Sequence, residues 1–271
     1  MYADLHSHTN YSDGILTPLE LLTKAKAAGI GAISITDHDT VEGVRVALTL
    51  ADEIGIKVIR GIEISCYENR QNIHILGYNF DIDNPELTVF LKNQKEYRKE
   101  RAFNILEKLS SLNLPLNFEE LLDRTGDVPI TRPHIAQMMV DKGYVPTLRE
   151  AFYQYLGEDM PAYVYKSDIP VTAAIEIINK SGGVAVLAHP ANWFKPAFLF
   201  KLIESGLDGI EVYHPSHNQN LVKHYKSIAS QFWLLETGGS DFHGNREYDE
   251  MNLGKFGISE KQLETILNHH K

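Results

Sequence analysis

Seven short apolar runs recur along the chain: Tyr2–Leu5, Ala32–Ile35, Lys57–Ile64, Ile73–Tyr78, Val184–Ala188, Gly209–Val212 and Phe232–Leu235. Runs this short between polar or Gly/Pro positions predict buried strands, and the stretches between several of them carry helical spacing. Some helix ends can be read directly. Thr17-Pro18-Leu19-Glu20 is a capping box with proline at the first helical position, and Gly29 closes that helix. Thr40 is expected to cap the next helix and Gly55 to stop it. Pro170 opens another, ending at Gly182-Gly183. Strand, helix, strand in repetition predicts an α/β fold of parallel strands with crossover helices, either a barrel or a doubly wound sheet.

The alternation breaks between Asp83 and Lys166. That stretch offers no good strand and reads as several helices, including a long charged one from Pro85 to Leu112. A segment of that size after the fourth strand predicts a helical cap domain, residues 83–166, inserted into an α/β unit formed by residues 1–82 and 167–271. Ser259 to Lys271 reads as a final amphipathic helix. There is no internal repeat and no low-complexity segment.

Composition narrows the class. The 271 residues are 43% hydrophobic and 23% charged, which excludes a disordered chain. Cys66 is the only cysteine, so neither a disulfide framework nor a thiolate metal site can form, and it reads as a small buried hydrophobe. No secretory signal is expected from the first residues, and no apolar run reaches the length of a membrane span. A cytoplasmic protein without membrane association or an obligate protein partner is therefore expected. The net charge of −10 argues against a surface that tracks extended double-stranded nucleic acid. It leaves room for an anionic substrate, because bound cations can reverse the charge of a pocket.

The 12 histidines carry the chemistry. The first strand runs into Asp4-Leu5-His6-Ser7-His8, followed by Asp13. The second ends at Thr36-Asp37-His38, the third contains Glu63, the fourth His74, and the fifth reaches His189. The seventh leads to Ser240-Asp241-Phe242-His243-Gly244. In a parallel α/β barrel, strand ends and the loops after them converge on one mouth. In extended backbone, residues i and i+2 share a side, so His6 with His8, and Asp241 with His243, can face one cation. A single histidine at a strand end is ordinarily a satisfied polar residue. Five strand ends delivering His, Asp or Glu in one chain call for another reason. Six imidazoles and three carboxylates, with no thiolate, are too many donors for one tetrahedral ion. They suit two or three divalent cations with carboxylate bridges, with Mn²⁺, Fe²⁺ and Zn²⁺ all compatible. Asp4 and Asp37 are expected to orient imidazoles rather than bind metal.

These motifs, in this order and over nearly the whole chain, resemble those of the PHP (polymerase and histidinol phosphatase) superfamily. The Arg132-Pro133-His134 stretch and Pro161-Ala162-Tyr163 are similar to the branch of ribonuclease AM and the 3′,5′-nucleoside bisphosphate phosphatases. The resemblance implies a distorted seven-stranded β/α, TIM-like barrel with three divalent metal ions, Mn²⁺ first among them. It implies His6, His8, Glu63 and Asp241 on the first ion. Bridging Glu63 would hold the second with His74 and His189, and Asp13, His38 and His243 the third. Glu63, Asp241 and His189 would then be the catalytic residues. A water bridging two cations is acidic enough to yield hydroxide near neutral pH, which would attack phosphorus with no Ser or Cys nucleophile.

The same resemblance implies that Arg98, Arg101 and His134 touch substrate phosphate, and Arg132 stands beside them. Arginine suits bidentate phosphate contact. The other reading of Tyr97-Arg98-Lys99-Glu100-Arg101 is a solvated helix face. The implied substrate is a nucleotide, a 3′,5′-bisphosphate giving the 5′-monophosphate, or short RNA taken from its 5′ end. Two alternatives stand beside it: a histidinol-phosphate phosphatase, and a non-catalytic metal-binding module. His214 and His217 either line the pocket for the base or leaving group or are exposed loop residues. His224 reads as a surface position, and His269 and His270 as a solvated tail.

Overall fold

The computed structural model describes residues 2–68, 71–165, 169–191 and 196–269. The Thr17 hydroxyl accepts the N–H of Glu20 while the Glu20 carboxylate accepts the N–H of Thr17 at 2.8 Å, so the predicted capping box starts the first helix. In chain order, β1 (Tyr2–Asp4), α1 (Pro18–Ala27), β2 (Ala32–Ile35), α2 (Glu42–Ile54), β3 (Lys57–Glu68) and β4 (Gln71–Tyr78) come first. Then follow α3 (Pro85–Ser111), α4 (Phe118–Thr125), α5 (Arg132–Asp141), α6 (Leu148–Ala151), a π-helical turn at Phe152–Leu156, α7 (Val171–Lys180) and β5 (Val184–Leu187). The chain ends with α8 (Pro196–Glu204), β6 (Gly209–Tyr213), α9 (Gln219–Phe232), β7 (Leu235–Gly238), α10 (Asp249–Asn252), β8 (Ile258–Ser259) and α11 (Glu260–Leu267).

The eight strands form one sheet in the order β7-β6-β5-β4-β3-β2-β1-β8. Beyond its two ends, Leu5 N–H donates to Gly238 O at 3.1 Å and His8 N–H to Phe242 O at 2.8 Å, so the β1 side meets the β7 side and the barrel nearly closes. Each of the seven predicted runs corresponds to a strand, but four expectations need correction. The sheet is not all parallel: β4 runs antiparallel to both β3 and β5. An eighth strand pairs antiparallel with β1, and its two residues are too few to leave an apolar pattern. The last predicted run begins too early, because α9 continues to Phe232 and β7 starts at Leu235. Thr40 stands one residue before the N-cap of α2; Val41 occupies the cap position, and the Thr40 hydroxyl accepts the Glu42 N–H at 3.2 Å.

The chain divides into two compact units, Met1–Phe90 with Ile169–Lys271, and Leu91–Asp168. Inside the barrel unit, Leu5, Ile59, Leu76, Tyr78, Val184 and Val186 belong to one buried cluster, and the Tyr78 hydroxyl donates to Leu5 O at 2.9 Å. The second unit is helical and has its own core, in which Ile105 and Leu109 of α3 belong with Leu121 of α4 and Met138 of α5. Among the described residues no helix is long and apolar enough to cross a membrane.

Candidate metal centre

His6 and His8 follow β1 and present both Nε2 atoms to the same two oxygens. His6 Nε2 lies 3.3 Å from Glu63 Oε2 and 3.3 Å from Asp241 Oδ1. The corresponding distances from His8 Nε2 are both 3.2 Å. Both imidazoles are fully buried, yet neither Nε2 has a hydrogen-bond partner. Buried polar atoms without partners are costly and rare, so this arrangement asks for a ligand. Nitrogen–oxygen separations of 3.2–3.3 Å are in the range of donors that share one divalent cation through bonds of about 2.0–2.2 Å to imidazole and carboxylate. The donor set fits a cation.

A second group adjoins it. Asp13 faces His243 Nε2 at 3.4 Å, His8 Nδ1 at 3.8 Å and His38 Nε2 at 3.9 Å. Glu63 links the groups: Oε2 also lies 3.3 Å from His38 Nδ1, while Oε1 faces His74 Nδ1 at 2.7 Å and His189 Nε2 at 3.0 Å. All nine residues singled out from the sequence therefore sit in one cluster of the barrel unit. His74 reaches it by a route the sequence did not indicate. It lies in the first half of β4, and because β4 runs in reverse, that half is level with the later part of β3 that carries Glu63.

Buried carboxylates hold the loops that carry these side chains. Asp4 Oδ1 accepts the N–H groups of Ser240 (2.9 Å) and His6 (3.3 Å), and Oδ2 that of Gly254 (3.3 Å). Asp37 accepts Thr9 N–H, the Thr9 hydroxyl and the Ser12 hydroxyl at 2.6–2.7 Å, fixing the loop that leads to Asp13. The expectation that Asp4 and Asp37 orient imidazoles is thus corrected: in the described contacts they hold backbone and hydroxyl groups. Gly239 packs against His6 so closely that a Cβ there would collide with the His6 backbone nitrogen. Asp241 (φ +51°) and His189 (φ +26°) both take left-handed backbone, a strained state that concentrates at functional sites.

The charges are mutually dependent. Burial raises the Glu63 carboxyl, but His38, His74 and His6 outweigh it and hold the group well below the usual carboxylate range. Burial likewise raises Asp13 and Asp241, and His38 with His243 in the first case, Arg246 with His6 in the second, bring both well below that range. Burial lowers His8, while Asp241 and Glu63 lift it to about 9. His38 goes the other way, pushed well down by burial despite Glu63 and Asp13.

Several neighbours escaped the sequence reading. Glu211 is fully buried in β6 beside His6. The Arg246 guanidinium donates to Asp241 Oδ2 at 2.7 Å and reaches His243 Nε2 at 2.9 Å, while Asp249 accepts the N–H groups of His243 and Arg246. His214 and His217 are not exposed: each is at most 7% accessible. His214 Nδ1 accepts the Ser216 N–H at 3.1 Å, so its neutral ring carries the proton on Nε2, which lies 3.6 Å from Asp241 Oδ2. His217 braces the loop after β5, donating from Nδ1 to Val212 O and accepting the Ala191 N–H. His224 is exposed as expected. His269 is half-buried and faces Asp208 at 3.2 Å rather than being solvated; His270 lies outside the described residues.

In the second unit, Arg98, Arg101 and Arg132 gather. Arg98 donates to Ile130 O, Arg101 to Val164 O and Arg132 to Leu156 O, at 2.8–3.0 Å. Arg101 and Arg132 both lie over the Tyr163 ring. Burial, then Arg132 and Arg98, lower Arg101 to about 9, as expected for a cation taken out of water beside other cations. Arg98 and Arg101 are part-buried, so the solvated-face reading does not hold for them. His134 Nδ1 accepts the Thr131 N–H at 3.1 Å, closing a capping box at the start of α5.

Comparison with known proteins agrees with this geometry. The PHP domain family matches residues 4–120. A 5′-3′ exoribonuclease of Haemophilus influenzae is 36% identical over 245 residues, 89% of each chain. A 3′,5′-nucleoside bisphosphate phosphatase of Chromobacterium violaceum is 34% identical over 251 residues, 90% of this chain and 88% of that one. A crystal structure from Bifidobacterium adolescentis, assigned as a metal-dependent phosphoesterase, superposes with a TM-score of 0.90 at 29% identity, covering 98% of this chain and 95% of that one.

Proposed function

The chain belongs to the PHP family of metal-dependent phosphoesterases, and on that premise we propose that it removes the 3′-phosphate of nucleoside 3′,5′-bisphosphates and trims short RNA from the 5′ end. The observation that carries the reading is the set of buried, unpartnered imidazole nitrogens of His6 and His8 facing Glu63 and Asp241. We assign three divalent ions to the centre, Mn²⁺ in the cell's cytoplasm, with Fe²⁺ and Zn²⁺ also compatible. His6, His8, Glu63 and Asp241 would hold the first, Glu63, His74 and His189 the second, and Asp13, His38 and His243 the third. Bound there, the ions would supply Lewis acidity toward phosphoryl oxygens and toward water.

The chain's own residues do the rest. Glu63 offers one oxygen to His6, His8 and His38 and the other to His74 and His189, so it fixes the spacing between ligand groups. Asp241 turns Oδ1 toward His6 and His8, while Arg246 holds Oδ2. Residues 83–166 are assigned the part of a helical cap, in which Arg98, Arg101, Arg132 and His134 take the phosphate that is not cleaved. Guanidinium groups held by backbone carbonyls are preorganised for a phosphate.

Phosphate release by the Mn²⁺-loaded protein from adenosine 3′,5′-bisphosphate, beside 5′-AMP and histidinol phosphate, together with release of 5′-mononucleotides from a 5′-phosphorylated oligoribonucleotide, tests the assignment. Preference for the bisphosphate and the oligonucleotide, with 5′-AMP as product of the former, is expected. Preference for histidinol phosphate would overturn the substrate assignment.

A further inference from the structure

Glu211 lies outside the nine proposed ligands, yet its carboxylate joins two of them. In β6 it is fully buried, and its apolar neighbours Ile210 and Val212 alternate with it along the strand. The register then slips, Glu211 pairing with Thr237 and Tyr213 with Gly238, a bulge of the kind that re-aims side chains beside active sites. Both oxygens are engaged. Oε1 lies 2.9 Å from His6 Nδ1, and Oε2 accepts the His189 N–H at 2.7 Å.

Each contact has its own consequence. An ionised carboxylate only accepts, so His6 Nδ1 carries a proton, and the lone pair of the neutral ring is left on Nε2, the atom aimed at Glu63 and Asp241. The second contact holds the His189 amide where the backbone is left-handed, a conformation that persists only where the surroundings fix it. Charge-assisted bonds to a buried carboxylate are strong enough for both tasks.

We propose that Glu211 is a positioning residue that sets two metal ligands at once, the tautomer of His6 and the backbone of His189. It thereby couples two of the cation positions through one side chain. Glu211, His6 and His214 also lie close enough together to suggest a separate cation site. Proton placement argues against that: His6 Nδ1 is committed to Glu211, and neutral His214 is protonated on Nε2 because Ser216 N–H occupies Nδ1. The proposal rests on the metal reading above.

The test is a Mn²⁺ titration of metal-free parent and Glu211→Gln protein, followed by electron paramagnetic resonance of the free ion, with thermal unfolding of both. Glutamine keeps the shape but can turn an acceptor oxygen to only one of the two N–H groups. The expected result is affinity lowered on the order of ten- to a hundredfold, with most of the turnover restored at saturating Mn²⁺. Parental affinity, or lost turnover that saturating Mn²⁺ does not restore, overturns the proposal. The imidazole ¹H–¹⁵N spectrum of the Zn²⁺-loaded parent answers the same question if the variant does not fold. His6 protonated at Nδ1 supports the proposal, and His6 protonated at Nε2 overturns it. A parent that takes up no cation overturns both this proposal and the metal reading, and the parent titration separates that outcome from the others.

Discussion

Glu63 and His74 meet across an antiparallel strand pair, carboxylate Oε1 2.7 Å from imidazole Nδ1. The other Glu63 oxygen faces His6, His8 and His38, so one side chain spans groups that Asp241 touches only in part. Glu63→Gln is therefore expected to lower the number of tightly bound ions by more than Asp241→Asn does. Metal analysis of the two purified variants after gel filtration checks this; equal loss would show that Glu63 does not bridge.

Asp241→Asn removes an anionic donor facing His6 and His8 but keeps the side chain's volume. Turnover should fall on the order of a hundredfold or more while the circular dichroism spectrum stays that of the parent. Unchanged turnover would remove Asp241 from the centre.

Arg98 lies in the guanidinium cluster of the second unit. Arg98→Ala should raise KM for a nucleoside bisphosphate by about tenfold, the loss of one charge-assisted contact, and change KM for a monophosphate little. Steady-state kinetics on both substrates decides it. An equal change for both would assign Arg98 to the packing of its own unit.

Gly239 leaves no room for a side chain next to His6. Gly239→Ala should destabilise the protein by about 1–3 kcal/mol through overpacking and weaken metal binding with it. Denaturant unfolding with and without Mn²⁺ reads both effects, and parental stability would contradict the close packing.

In metal-free protein, burial works against a charged His8, but Asp241 and Glu63 outweigh it and lift the group to about 9 from its ordinary 6.5. The folded pKa is raised, so this imidazolium stabilises the metal-free fold fully below about 6.5, and the contribution is lost as pH rises through about 9. Cation uptake at pH 7 should therefore release protons. Calorimetric titration in two buffers of different ionisation enthalpy measures the release; identical heats would contradict it.

Most of the centre could be read from the chain because strand ends mark it. His6 with His8 and Asp241 with His243 stand two residues apart in extended segments, and Glu63 and His189 lie in or just after apolar runs. The reversal of β4 could not be read. Apolar alternation carries no direction, and the polar positions after Ile64 hid the extension of β3 to Glu68. Glu211 was masked by the apolar strand around it, although a lone carboxylate inside such a run is itself a signal. His214 and His217 resemble loop residues locally, and only tertiary packing buries them. Arg246 sits in a hydrophilic stretch where nothing in the sequence marks its turn toward Asp241.

We propose that the His6–His8–Glu63–Asp241 cluster and its neighbours form the metal centre of a phosphoesterase. The most direct measurement is phosphate release from adenosine 3′,5′-bisphosphate by chelator-stripped protein, before and after Mn²⁺ is returned. No release from the stripped protein, with activity restored by Mn²⁺, is the expected result. Release that survives stripping, with metal analysis showing no residual ion, would contradict it.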